Sequence, residues 1–452
     1  MTDVIVVGSG PAGCALAGSL AASGAAVTLL EAGPDLGPRD SGRWDADLLD
    51  AAALSASYDW GYVSEDGRVP FERARVLGGC SSHNGCAAIW GARTDYDGWG
   101  IPGWATSDLL PHFEAVMRAF RVTTPDDITP FQAECIAAAN AVGIASTDDL
   151  NDLDEHEAIG ISPVNIVDGV RYNAAFAFLD RSKLTVIGDA EVERVLFDGH
   201  RAVGVTAAGR EYRADHVVLA AGTYESPAIL LRSGVGPHGR VLDLPVGENL
   251  HDHPAYVIGF AGTPELERAH AERTAWTPEE QSIAKLRSSH CTEAFDLHLY
   301  PIGGPHPKDP SAWRWELPVA CMTPRSRGTV TLRADGTPRI DHAYLKEAHD
   351  LDVLVDGVRI VREIAARMPR LGPELGAHDD LRGAIRREVV HYYHPVGTCA
   401  LGTVTNENGA VIGAEGLYVA DCSIIPTIPR ANTNVPAAVV GLRIAEALIE
   451  VG

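Results

Sequence analysis

Val4-Ile5-Val6-Val7-Gly8-Ser9-Gly10-Pro11-Ala12-Gly13 opens the reading, followed by a small-residue segment to Ser23, the run Ala26-Val27-Thr28-Leu29-Leu30, and Glu31. The two apolar runs read as buried strands and the Ala/Leu/Gly-rich segment between them as a helix. The spacing is strand, glycine turn, helix, strand, acid, which is the pattern of a dinucleotide-binding unit. Each glycine serves a separate need. Gly8 makes the turn, bare backbone at Gly10 admits a pyrophosphate, and Gly13 lets the helix lie close on the strand. The first helical turn offers N–H groups and the positive dipole end to phosphate. Glu31 stands where a carboxylate accepts the hydroxyls of an adenosine ribose, which disfavours a 2′-phosphate. The motif does not separate NAD from FAD.

The rest of the chain bounds what this unit belongs to. Its 452 residues, 46% hydrophobic and 22% charged, have globular composition and room for more than one domain. The 37 Lys and Arg against 61 Asp and Glu leave a net charge of −24. Such a surface repels phosphate backbones and anionic headgroups, so no nucleic-acid or membrane partner is expected. No run approaches the roughly eighteen consecutive apolar residues of a membrane span. The first strand begins almost at once with no basic segment before it, and the eight scattered cysteines show no Cys-x-x-Cys or zinc spacing. Both features predict a cytoplasmic protein with reduced thiols and no metal.

Farther along, Ala74-Arg75-Val76-Leu77-Gly78-Gly79-Cys80-Ser81-Ser82-His83-Asn84-Gly85 reads as a loop whose backbone presses on a ligand. Val217-Val218-Leu219-Ala220-Ala221-Gly222 is a buried strand ending in glycine. In the segment after it, Ser226-Pro227 predicts a helix N-terminus and Gly234 a helix stop. Near the end come His391-Tyr392-Tyr393-His394-Pro395-Val396-Gly397-Thr398, a strand Leu417–Ala420 ending at Asp421, and Asn432-Thr433-Asn434-Val435-Pro436 opening an apolar helix.

Taken in order, these motifs resemble the glucose–methanol–choline (GMC) family of FAD-dependent oxidoreductases. Val246-Gly247-Glu248-Asn249-Leu250-His251-Asp252-His253-Pro254 and Pro324-Arg325-Ser326-Arg327-Gly328-Thr329-Val330 are further landmarks of that resemblance. It implies an α/β protein: a Rossmann-like FAD-binding domain plus an α+β substrate domain with an antiparallel sheet. The implied division is 1–110, 161–255 and 387–452 for the FAD domain, with 111–160 and 256–386 for the substrate domain. The loop around His83 is most similar to its choline oxidase version, where a histidine bonds covalently to the flavin. The short length is shared with mycofactocin-associated dehydrogenases.

The implied activity is oxidation of an alcohol CH–OH to an aldehyde or ketone. His394 resembles the catalytic base and Asn432 the residue that hydrogen-bonds the substrate oxygen. FAD contacts are implied for Gly8, Gly10, Gly13, Glu31, Arg75, Gly79, His83, Asn84, Gly85, Val192, Asp421, Asn434 and Val435. Trp60, Trp90 and Tyr393 are candidates for the substrate wall, while His251, His253 and His391 read as structural or, at most, as supporting the groups that touch substrate and cofactor. The electron acceptor is oxygen or an organic molecule. Tyr392, two places before His394, would crowd oxygen and favours the organic acceptor. Hydroxynitrile cleavage on the same fold is the alternative, and the oligomeric state stays open.

Overall fold

The computed structural model describes residues 3–154, 157–306 and 309–451. Its first layer is a five-stranded parallel sheet, in the order Leu417–Val419, His216–Leu219, Asp3–Val7, Ala26–Leu30, Thr185–Ile187. Val4, Val6, Leu29, Val217 and Leu219 are all buried, as strands covered on both faces must be. The helix Pro11–Ala22 follows the first strand and packs on the last helix, Asn434–Val451. Small side chains set that contact: a Cβ on Gly441 would stand 2.2 Å from the Ala12 carbonyl oxygen.

The helix expected to begin at Ser226-Pro227 starts earlier and spans Gly222–Arg232, with Pro227 inside it. Proline has no N–H for the carbonyl four residues back. That carbonyl, of Thr223, instead accepts the Thr398 hydroxyl at 2.8 Å. Ser226 donates its hydroxyl to Asp421 Oδ2 at 2.5 Å, so the predicted cap is a tie between strand ends. Gly234, at φ +84°, stands just past the helix end as expected.

A second layer is a six-stranded sheet, in the order Val390–His391, Pro254–Tyr256, Val319–Cys321, Leu297–Leu299, Ser282–Leu286, Ala158–Ile161. All its pairings are antiparallel. The helix Ala348–Ala365 covers one face through Leu351, Leu354, Val358 and Val361, giving a core separate from that of the parallel sheet. The edge strand Val390–His391 therefore belongs to the second sheet, while the chain just beyond it returns toward the first. The junction of the two sheets is where His394 lies. Among the described residues no helix is long and apolar enough to cross a membrane, and all eight cysteines are free.

Candidate active site

The site begins at the N-terminal turn. Gly8 holds φ +97°, and a Cβ there would come within 2.5 Å of the Ala220 carbonyl oxygen. A Cβ on Gly13 would stand 2.0 Å from the Gly8 carbonyl oxygen, so the turn closes only with glycine at both positions. Gly10 faces open space, and Gly79 leans on it from the second loop, 2.7 Å separating its would-be Cβ from Gly10 Cα. Glu31 ties these parts together. Its Oε2 accepts the Ser9 N–H (2.9 Å) and hydroxyl (2.5 Å), and its Oε1 accepts the Gly33 N–H (2.9 Å). A carboxylate has about four acceptor sites, so capacity remains on the side that faces the cavity.

From this turn a cavity of about 670 Å³ extends past Val192, Asp421 and the loop residues Gly79, His83, Asn84 and Gly85. It ends among Trp60, Tyr393, His394, Asn432 and Asn434. The volume falls in the range of cofactor and ligand sites, roughly 300–1,000 Å³. His83 is buried, and its Nε2 bonds the Ser57 carbonyl, which leaves Nδ1 as the uncommitted ring nitrogen.

Three of the expected residues turn their side chains elsewhere. Arg75 is drawn to the surface, its guanidinium 2.7 Å from Glu191 and 4.8 Å over the Trp60 ring, and Arg73 lines the cavity in its place. Trp90 stacks on Phe113 at 5.0 Å in the first core and lines a separate shallow pocket. Val435 is fully buried in the first core, while Asn434 and Ala437 on the same helix reach the cavity.

At the far end the chain strains to present His394. Tyr393 adopts φ +69°, a left-handed conformation uncommon for a side chain of this size. His394 Nε2 lies 3.4 Å from Asn432 Nδ2. Burial, with His298, Arg73 and His391 nearby, holds the His394 imidazole well below its ordinary value, so it is neutral at neutral pH. Tyr392 is buried beside it, 4.4 Å between ring centroids, and stacks on Tyr300 at 4.0 Å.

Among the described residues several polar atoms here are buried without a hydrogen-bond partner: Asn432 Oδ1 and both amide atoms of Asn434. Unpaired buried groups are costly unless a ligand completes them. Glu280 leaves Oε1 unpartnered among the described residues. No sequence signal marks Glu280, which lies in the plain run Glu279-Glu280-Gln281; its Oε2 stands 3.9 Å from where a Gly85 Cβ would be. Arg73 is legible only as the other member of an Arg-x-Arg pair.

The chain matches known proteins over nearly its whole length. It is 31% identical to choline oxidase of Arthrobacter globiformis over 522 aligned positions, covering 98% of this chain and 93% of the relative. It is 32% identical to an oxygen-dependent choline dehydrogenase of Brucella suis, covering 99% and 95%. Pyridoxine 4-oxidase from Mesorbium loti superimposes with a TM-score of 0.86 at 26% identity, covering 99% of both chains. Residues 2–255 match the N-terminal part and residues 324–441 the C-terminal part of GMC oxidoreductases. The chain belongs to the GMC oxidoreductase family.

Proposed function

We propose that the protein oxidises the CH–OH group of a small alcohol to a carbonyl with FAD, His394 acting as base and Asn432 holding the substrate oxygen. The observation that carries this reading is the cavity itself. It joins a glycine turn built for a dinucleotide to a neutral, buried imidazole beside an amide. The residues fit FAD: Gly8, Gly10 and Glu31 suit its adenosine and pyrophosphate, and the unpartnered Asn434 amide suits a polar ring. When bound, FAD supplies the hydride acceptor.

The residues do the remaining work. His394 takes the hydroxyl proton at Nε2, and Asn432 orients the oxygen so that the carbon faces the cofactor side. The first turn of the helix Asn434–Val451 abuts the cavity and directs its positive end there, where it supports developing negative charge. Trp60 and Tyr393 wall the substrate end, and His83 is bonded covalently to the cofactor. The segments 1–110, 161–255 and 387–452 serve the cofactor, and 111–160 with 256–386 the substrate. Tyr392 favours an organic electron acceptor over oxygen, and the unpaired cysteines suit a cytoplasmic setting.

The test is anaerobic mixing of the holoprotein with choline, pyridoxine and benzyl alcohol. Bleaching of the flavin absorbance by at least one supports the reading. An unbleached flavin with all three, together with cleavage of mandelonitrile, would replace it with the lyase.

A further inference from the structure

His253, which the sequence presents as structural, meets the base directly. Antiparallel pairing carries 251–254 alongside 391–396. The Tyr392 N–H donates to the His253 carbonyl at 3.1 Å, and His251 and Val396 exchange main-chain bonds of 3.2 and 2.9 Å. Between these rungs Asp252 Oδ1 accepts the main-chain N–H groups of both His253 (2.7 Å) and His394 (2.9 Å). One carboxylate thus fixes both backbones. The two imidazoles meet edge to face, 83° apart, with Nδ1 3.0 Å from Nδ1.

A bond between two ring nitrogens requires one shared proton, because two lone pairs or two N–H groups would repel. Its direction follows from the far side of the His394 ring. Asn432 presents Nδ2 to His394 Nε2, and an amide nitrogen only donates, so Nε2 carries a lone pair. A neutral imidazole has one proton, which for His394 is then on Nδ1 and is donated to His253 Nδ1. His253 then keeps its own proton on Nε2, a buried atom with no hydrogen-bond partner among the described residues.

We propose that His253 is a positioning residue that locks His394 in the Nδ1–H tautomer and so keeps the Nε2 lone pair turned to the substrate. This rests on the reading of His394 as the base. When Nε2 takes the alcohol proton, His394 becomes a cation that keeps its Nδ1–H bond to His253, and no further proton has to move. That bond becomes charge-assisted at the step where it is needed. The groups acting on the pair are His298 and Arg73 from other elements, with His391 and His251 flanking in sequence. These are cationic or potentially so, while the His253 lone pair and the Asp252 carboxylate, which lies within 4.8 Å of a nitrogen of each ring, favour the cation.

The experiment uses holoprotein labelled with ¹⁵N-histidine, comparing the parent with His394→Ala, His253→Leu and His253→Asn by long-range ¹H–¹⁵N correlation. The resonances lost in His394→Ala are expected to show the Nδ1–H pattern. His253→Leu should abolish that pattern. His253→Asn, whose Oδ1 can stand in for the lost acceptor, should keep it. Flavin reduction by the fastest of choline, pyridoxine and benzyl alcohol should fall about tenfold or more in His253→Leu and recover to within roughly threefold in His253→Asn. An Nε2–H pattern for His394 in the parent overturns the proposal, as does an unchanged pattern in His253→Leu. Should His253→Leu lose its flavin, the parent spectrum and His253→Asn decide alone. The spectra need no substrate, so their failure is distinct from a flavin that no alcohol bleaches.

Discussion

Glu280 carries a cost that its surroundings make measurable. Burial, together with the adjacent Glu279, pushes its carboxyl up to about 8. In the unfolded chain the same group titrates near 4.5, so between these values the folded protein binds more protons than the unfolded one. Stability from this residue is therefore full below about pH 4.5 and is lost as pH rises toward 8. Glu280→Gln should match the parent in thermal unfolding at pH 5 and exceed it at pH 8 by roughly 2–5 °C. Parallel curves at the two pH values would contradict the assignment. Tyr392 gives a second prediction. Its ring lies against His394, so reoxidation of photoreduced enzyme in air-saturated buffer should be slow and Tyr392→Val should speed it about tenfold. Complete reoxidation of the parent within a second, with stoichiometric peroxide, defeats this. Tyr392's placement is readable from its position two places before His394, whereas that of Glu280 is not readable from its neighbours in sequence. Glu280 is set against Ile302 and the Gly85 loop by pairing between distant segments.

The elements are more legible than the side chains they carry. Gly8, Gly10 and Gly13 sit where their spacing puts them, because backbone sterics act over a few residues. The helix after residue 222 departs from its expected start for the opposite reason. Ser226-Pro227 satisfies a local rule for helix starts, and only the distant Thr398 hydroxyl makes proline tolerable inside the helix. The loop from Gly79 to Gly85 tests the element scale best. It leans on the first turn at Gly10 and brings His83 to the cavity with Nδ1 uncommitted. Acid precipitation of the holoprotein should therefore give a yellow pellet and a colourless supernatant, and His83→Ala should reverse this. A colourless pellet from the parent shows that no bond forms.

At the scale of the molecule, the order of motifs along the chain foretells two sheets, and the chain crosses between them several times. His394 and His253 come together because the edge strand Val390–His391 joins the antiparallel sheet just before the chain turns back to the parallel one. That pairing connects segments about 140 residues apart, which is why the motif points to His394 while nothing local hints that His253 touches it. The side chains of Arg75, Trp90 and Val435 point away from the cavity for a separate reason: adjacency to a motif does not say which side of a strand or helix faces it. The central claim is that this junction is a base poised beside a flavin site. Anaerobic stopped-flow reduction of the parent, His394→Ala and Asn432→Ala by one saturating alcohol tests it most directly. FAD should remain bound in all three, with reduction slowed roughly 10²–10⁴-fold in His394→Ala and less in Asn432→Ala. Reduction of His394→Ala at the parent rate would remove His394 from the chemistry and contradict the account.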